Sequence, residues 1–201
     1  MKSLFRLLLV AATVAVLVGC ASEVTLPVLY VLKADPPSGT MPPPVVRPSV
    51  APWHLVSPVR VPDYLDREAL LLPQGQNGLL ASPNQRWAEL LSQSVPRLLT
   101  QDLVTLGGEG SVWTGFVPRG LAVRGQLRVE LLALDVNAAA TAVTLKARWT
   151  TTATDGAAQP LARSHGVTLT AQSLGTDTDS LVSAHRLALW QLAQAIAKTL
   201  E

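Results

Sequence analysis

The chain has 201 residues, with 16 basic and 14 acidic side chains, three histidines and a single cysteine. No basic cluster is present that would track a phosphate backbone, which argues against nucleic acid as a partner, and one cysteine excludes an intrachain disulfide. If Lys2 and Arg6 leave with a cleaved leader, 14 basic residues face 14 acidic ones, a formal net charge of zero.

The first twenty residues carry the strongest signal. Lys2 and Arg6 form a basic start, Leu7 to Val18 is almost unbroken apolar sequence, and Leu17-Val18-Gly19-Cys20 follows. An apolar run of about 12 residues is too short to span a bilayer, which takes roughly 20, but it suits a secretory leader. With Cys20 after a small residue it reads as a lipobox: residues 1–19 are expected to be a signal peptide, and Cys20 the acylated first residue of the mature protein, labelled by palmitate. Ala21 and Ser22 follow, with no Asp next to the cysteine. The absence of that inner-membrane retention signal favours an outer-membrane, periplasm-facing anchor.

The segment 20–52 reads as lipidated cysteine, a short edge strand at Leu26–Leu32 and a tether. Asp35 to Pro52 holds seven of the fifteen prolines. Such a stretch favours polyproline II, about 3.1 Å per residue, and serves either as a spacer holding the domain off a membrane or as a surface loop. The folded domain is expected over 53–201.

Within it, Val56–Val61 reads as a strand, Pro62-Asp63 as a turn and Leu70-Leu71-Leu72 as a second strand, with Asn77-Gly78 suiting a tight turn. Ser82, Pro83 and Gln85 form a capping-box pattern that predicts a helix start. The apolar spacing of Trp87, Leu90, Leu91, Val95, Leu98, Leu99 and Leu103 continues it, with a kink at Pro96 and an end at Gly107-Gly108. Period-two alternation then predicts strands through Val123–Leu131 and Val143–Thr150, and a weaker one through Leu161–Leu169. Asp177 to Ser180 should cap a last helix, roughly Ser180 to Leu200. The expected fold class is α/β, a mixed β-sheet packed with two main helices.

Pro58-Val59-Arg60-Val61-Pro62-Asp63-Tyr64-Leu65-Asp66-Arg67 resembles the Pro-Val-x-Leu/Val-Pro-x-Tyr-Leu-Asp-Arg signature of the ABC-type transport auxiliary lipoproteins, the family that includes the outer-membrane lipoproteins of the Pqi system. Tyr30-Val31-Leu32, Arg86-Trp87-Ala88-Glu89 and Leu98-Leu99-Thr100-Gln101-Asp102-Leu103 resemble further family segments in the same order, while Ser57 departs from the usual glycine. The resemblance implies a domain similar to the TolB amino-terminal domain. It also implies no chemistry of its own, and a place as an accessory subunit docking a periplasmic MCE-domain protein of an intermembrane lipid-transport system at the outer membrane, in support of membrane integrity. The alternative is a structural envelope lipoprotein assisting assembly of an outer-membrane complex.

Tyr64, Leu65 and Arg67 are the candidate partner contacts at the corner, with Asp66 as a structural turn residue. Trp190 falls off the apolar stripe of the last helix and is a further candidate contact, including for a homo-oligomer. No catalytic residue, cofactor or metal site is expected. His54, His165 and His185 share no ligand spacing, Gly-x-Ser-x-Gly is absent, and Gly107-Gly108-Glu109-Gly110-Ser111 lacks the Gly-Lys-Ser/Thr of a phosphate loop.

Overall fold

The computed structural model describes residues 25–40, 51–75, 77–154 and 161–200. The expected signal peptide and Cys20 lie outside them. The strands are β1 (Val28–Tyr30), β2 (Trp53–Leu55), β3 (Ala69–Gln74), β4 (Gly78–Trp87), β5 (Val112–Thr114), β6 (Gly125–Val136), β7 (Ala142–Ala153) and β8 (Ala162–Gln172). The helices are α1 (Leu91–Gly107) and α2 (Thr178–Leu200). The mixed α/β class is as expected, but the strands divide into two sheets, β1-β4-β3 and β5-β2-β6-β7-β8.

The larger sheet follows from alternation. Leu127, Val129 and Leu131 of β6 face the core, as do Val143, Leu145, Ala147 and Trp149 of β7, while Glu130 and Arg148 pair across the outer face at 2.6 Å. A bulge between Leu131 and Ala133 shifts the phase by one residue, exposing Leu132 and turning Leu134 and Val136 inward. β8 continues the sheet in register with β7, with Trp149 opposite His165, and forms an edge. α2 packs on β7, β8 and α1. One buried cluster joins side chains of both sheets and both helices.

The first helix starts later than its local signals suggest. Ser82-Pro83-Asn84-Gln85 lies within β4, and α1 begins at Leu91. β3 pairs Leu71 with Ala81 and then Ala69 with Arg86, so residues 82–85 form a wide bulge opposite Leu70. A bulge tolerates Pro83, which has no N–H to offer a ladder. The hydroxyl of Ser82 donates to Gln85 Oε1 at 3.1 Å, a side-chain contact inside the bulge rather than a helix cap. α1 runs through Pro96 and ends at Gly108, whose φ of 89° is the left-handed conformation glycine adopts readily. Asp177 caps α2: its carboxylate accepts from the backbone N–H of Ser180 at 2.9 Å and from the Ser180 hydroxyl at 2.6 Å, and these bonds hold its pKa below the usual range.

Two further expectations are corrected. Val56–Val61 is an irregular run beside β6, with a single bridge between Arg60 and Glu130; the strand proper is Trp53–Leu55. Pro58 and Pro62 cannot donate to a ladder, which breaks the pairing there. The domain also begins before the proline-rich segment, not at Trp53. β1 lies parallel to β4 and Leu32 is buried in the core, so residues 35–52 connect two strands of one domain that lie in different sheets. They are an inter-sheet connection.

Candidate functional site

Two structural constructions frame the residues singled out by the sequence. The first is the corner between Pro62 and Arg67. Backbone bonds from Leu65 N to Pro62 O (2.9 Å) and from Asp66 N to Asp63 O (3.3 Å) close the turn. The Tyr64 hydroxyl donates to Asp135 Oδ1 at 2.7 Å, and its ring packs against the core. Burial raises the Tyr64 pKa, and the hydrogen bond and charge of Asp135 add to that shift. Asp66 Oδ1 accepts the backbone N–H of Ser92 at 3.1 Å. This serves the first turn of α1, which has no side-chain cap from Leu90. Arg67 is exposed and donates from Nε to the Tyr64 carbonyl at 2.7 Å.

Leu65 is buried in the core cluster, which removes it as a contact residue. Its backbone sits at the turn, and the only apolar volume within reach of its side chain is inward. Tyr64 points its polar tip at β6 rather than outward. Of the corner's three contact candidates, Arg67 is the one the fold leaves at the surface.

The second construction is a clamp on the chain just after β1. Arg186 of α2 donates from Nη1 and Nη2 to both oxygens of Asp102 on α1, at 2.9 and 2.5 Å. The same guanidinium donates to the carbonyls of Lys33 (2.7 Å) and Ala34 (3.1 Å). Arg97, paired with Glu89 at 2.6 Å, donates to the carbonyl of Leu32 at 3.3 Å. Three consecutive carbonyls are thus held by two arginines from two helices. Burial pushes the Asp102 carboxyl up to about 6, while the hydrogen bonds and charge of Arg186 act in the opposite direction.

This clamp escaped the sequence reading, although a signal was present. Asp102 falls on the apolar stripe of α1 with Leu98, Leu99 and Leu103, and Arg186 interrupts a wide apolar arc of α2. A lone acid and a lone arginine on two buried faces call for each other, because an unpaired buried charge is costly.

Trp190 is fully buried, which corrects its assignment as a subunit contact. α2 is covered by α1 on one side and by β7 and β8 on the other, so it buries a wider arc than a single stripe. The Arg186 guanidinium lies 5.8 Å from the Trp190 ring centroid.

The three histidines occupy separate structural contexts. His54 Nε2 contacts the Gly115 carbonyl at 2.9 Å, His165 stacks on Trp149, and His185 Nδ1 contacts the Leu181 carbonyl at 2.7 Å with Trp87 edge-on to its ring. Burial holds the His185 pKa below its usual value, against the opposing effect of the Leu181 carbonyl. Among the described residues no group of three or more His, Cys, Asp or Glu is placed to hold a metal ion. Nor, among them, is any helix long and apolar enough to cross a membrane.

A family model described as "ABC-type transport auxiliary lipoprotein component" matches residues 30–197, from the end of β1 almost to the end of α2. The chain belongs to this family. Its fold is also found in crystal structures of low sequence similarity. An uncharacterized protein is 19% identical with a TM-score of 0.63, the match covering 88% of this chain and 99% of that one. A Xanthomonas campestris protein of the DUF330 family is 15% identical with a TM-score of 0.64, covering 86% and 94%. A comparison with curated proteins finds no match. The family is one of auxiliary transport components rather than a known enzyme family.

Proposed function

We propose that this protein is a lipid-anchored, non-enzymatic accessory subunit of an MCE/ABC-type intermembrane lipid-transport system. Acylated at Cys20, it docks the periplasmic MCE-domain component at the outer membrane. The observation that carries this reading is the family match over residues 30–197, which follows closely on the lipobox at Leu17–Cys20. The build of the domain supports it. Asp102, Arg186 and Asp66 are engaged in a fold-holding clamp and a turn, while Arg67, tied to the Tyr64 carbonyl through Nε alone, presents its terminal guanidinium nitrogens at the surface for a partner carboxylate or carbonyl.

The test is co-purification of a tagged full-length copy from detergent-solubilised envelopes. Recovery of an MCE-domain protein and an ABC permease, with loss of the MCE component on Arg67→Ala, is the expected result. Deletion of the gene should also sensitise cells to membrane-perturbing agents, as deletion of the transporter genes does. Recovery of an outer-membrane assembly machine without any transporter component would replace the proposal by the structural-lipoprotein alternative.

A further inference from the structure

The parallel pairing of β1 and β4 sets the direction in which the chain enters β1. Val28 is opposite Gln85, Leu29 opposite Arg86 and Tyr30 opposite Trp87. The chain upstream of β1 therefore leaves the small sheet in the direction of the amino-terminal end of β4. That end is the β3–β4 hairpin, closed by Gln74 opposite Gly78 with Gly75 at φ 66°. Cys20 precedes Leu26 by six residues, a reach of about 20 Å at most. The described chain at Thr25–Pro27 thus enters β1 from the hairpin side of the sheet, with Cys20 a short reach upstream of it.

The hairpin tip leaves apolar side chains uncovered. Leu79 and Leu80 are adjacent in β4, so their side chains point to opposite faces, yet they are 48% and 50% exposed. Behind them Leu71 and Leu72 of β3 pack against the core, so the exposure belongs to the end of the hairpin. Leu26, Val28 and Leu29, on the strand that leads back to the anchor, are exposed as well, Leu26 by 80%. No residue from Ala69 to Gln85 is charged, and the hairpin end carries the neutral amides of Gln74 and Asn77. Exposed leucines on a charge-free hairpin would be a liability in open water. Beside a bilayer they have a destination: apolar side chains enter the acyl boundary, neutral amides stay among the headgroups, and no ion is desolvated.

We infer that the β3–β4 hairpin tip, through Leu79 and Leu80, is a second membrane contact that seats the domain on the bilayer holding its own lipid anchor. This rests on the acylation of Cys20 proposed above. The domain is then held down at two points rather than swinging on a flexible leash, and the hairpin contact lowers its orientational freedom at the membrane surface.

The experiment separates the hairpin from the acylation. The chain from Cys20 to Glu201, made without acylation, is coupled through its only thiol to maleimide-headgroup lipid in phosphatidylethanolamine/phosphatidylglycerol vesicles. Amide hydrogen exchange is then compared with the uncoupled protein. Exchange across Gln74–Ser82 should slow by about tenfold or more on vesicles, since two leucines move out of water. Leu79→Asn with Leu80→Asn, or Leu79→Asn alone if the double variant melts early, should abolish that slowing. Leu174→Asn, a fully exposed site in the β8–α2 connection, should not. Unchanged exchange on vesicles overturns the inference whatever becomes of Cys20 in cells. Protection that appears without lipid and grows with protein concentration also overturns it, in favour of a second copy. Palmitate labelling in cells tests the anchor independently: protection without labelling removes the acylation and leaves the hairpin's membrane contact standing.

Discussion

Asp66 and Ser92 are joined by a hydrogen bond of 3.1 Å, from the backbone N–H at the start of α1 to a carboxylate 26 residues earlier. The helix has no cap of its own at Leu90, so the corner supplies one across the tertiary structure. Asp66→Ala should cost about 1 kcal/mol, the usual value of a lost cap, and lower the Tm of the soluble domain. Asp66→Asn keeps an acceptor oxygen and should cost less. Equal stability of all three proteins would exclude a capping role.

Tyr64 is expected to behave as a fold residue. Tyr64→Phe deletes the bond to Asp135 and leaves a half-buried carboxylate acceptor unmatched, at about 0.5–1.5 kcal/mol. Tyr64→Ala also removes the ring from the core edge and should cost more. Arg67→Ala should leave the Tm nearly unchanged, because the side chain is exposed and its one bond goes to a local carbonyl. Denaturant unfolding of the three variants checks the order; a larger loss for Arg67→Ala than for Tyr64→Phe would reverse the assignment.

The Arg186–Asp102 pair should show the asymmetry of buried ion pairs. Asp102→Asn or Arg186→Met removes one partner and leaves the other buried, which typically costs about 3–5 kcal/mol. The combined Asp102→Leu/Arg186→Met variant should recover part of that loss. It should not restore slow amide exchange around Lys33–Ala34, because the carbonyl contacts of Arg186 are gone. Exchange there that matches wild type in the double variant would show that the clamp does not hold the β1 segment.

His185 gives the protein an acid-sensitive element. Its folded pKa lies below the ordinary value of about 6.5, so below that pH the unfolded chain binds more protons. The stability it contributes is complete above about 6.5 and is lost as pH falls through the folded value. Asp102 works the other way: raised to about 6, it contributes stability that is present below its unfolded value and lost as pH rises through 6. His185→Gln removes the first effect and retains the second. The drop in Tm between about pH 7 and pH 5 should therefore be smaller in the variant than in wild type, and identical drops would rule out the histidine as the source.

Much of the larger sheet and the second helix could be read directly from the chain. Alternation over Val123–Leu131 and Val143–Thr150 corresponds to β6 and β7, and the acid-Thr run at Asp177 marks the start of α2, because in each case local pattern and tertiary packing agree. Where the two conflict, packing decides. Ser82, Pro83 and Gln85 carry a helix-start pattern, but pairing with β1 and β3 holds them in a strand with a bulge. Trp190 lies off one apolar stripe, yet α2 is covered on two sides and buries it. The proline-rich segment has the composition of a spacer, but its place is set by β1, a three-residue strand whose attachment depends on β4 and on carbonyls held by Arg97 and Arg186. The chain by itself determined the alternating strands, the last helix and the family signature, all of which depend on neighbours within a few residues. Only the tertiary structure decided which aromatic side chains are covered, where the domain begins and which carboxylate caps which helix, because those follow from contacts between residues up to about 150 positions apart.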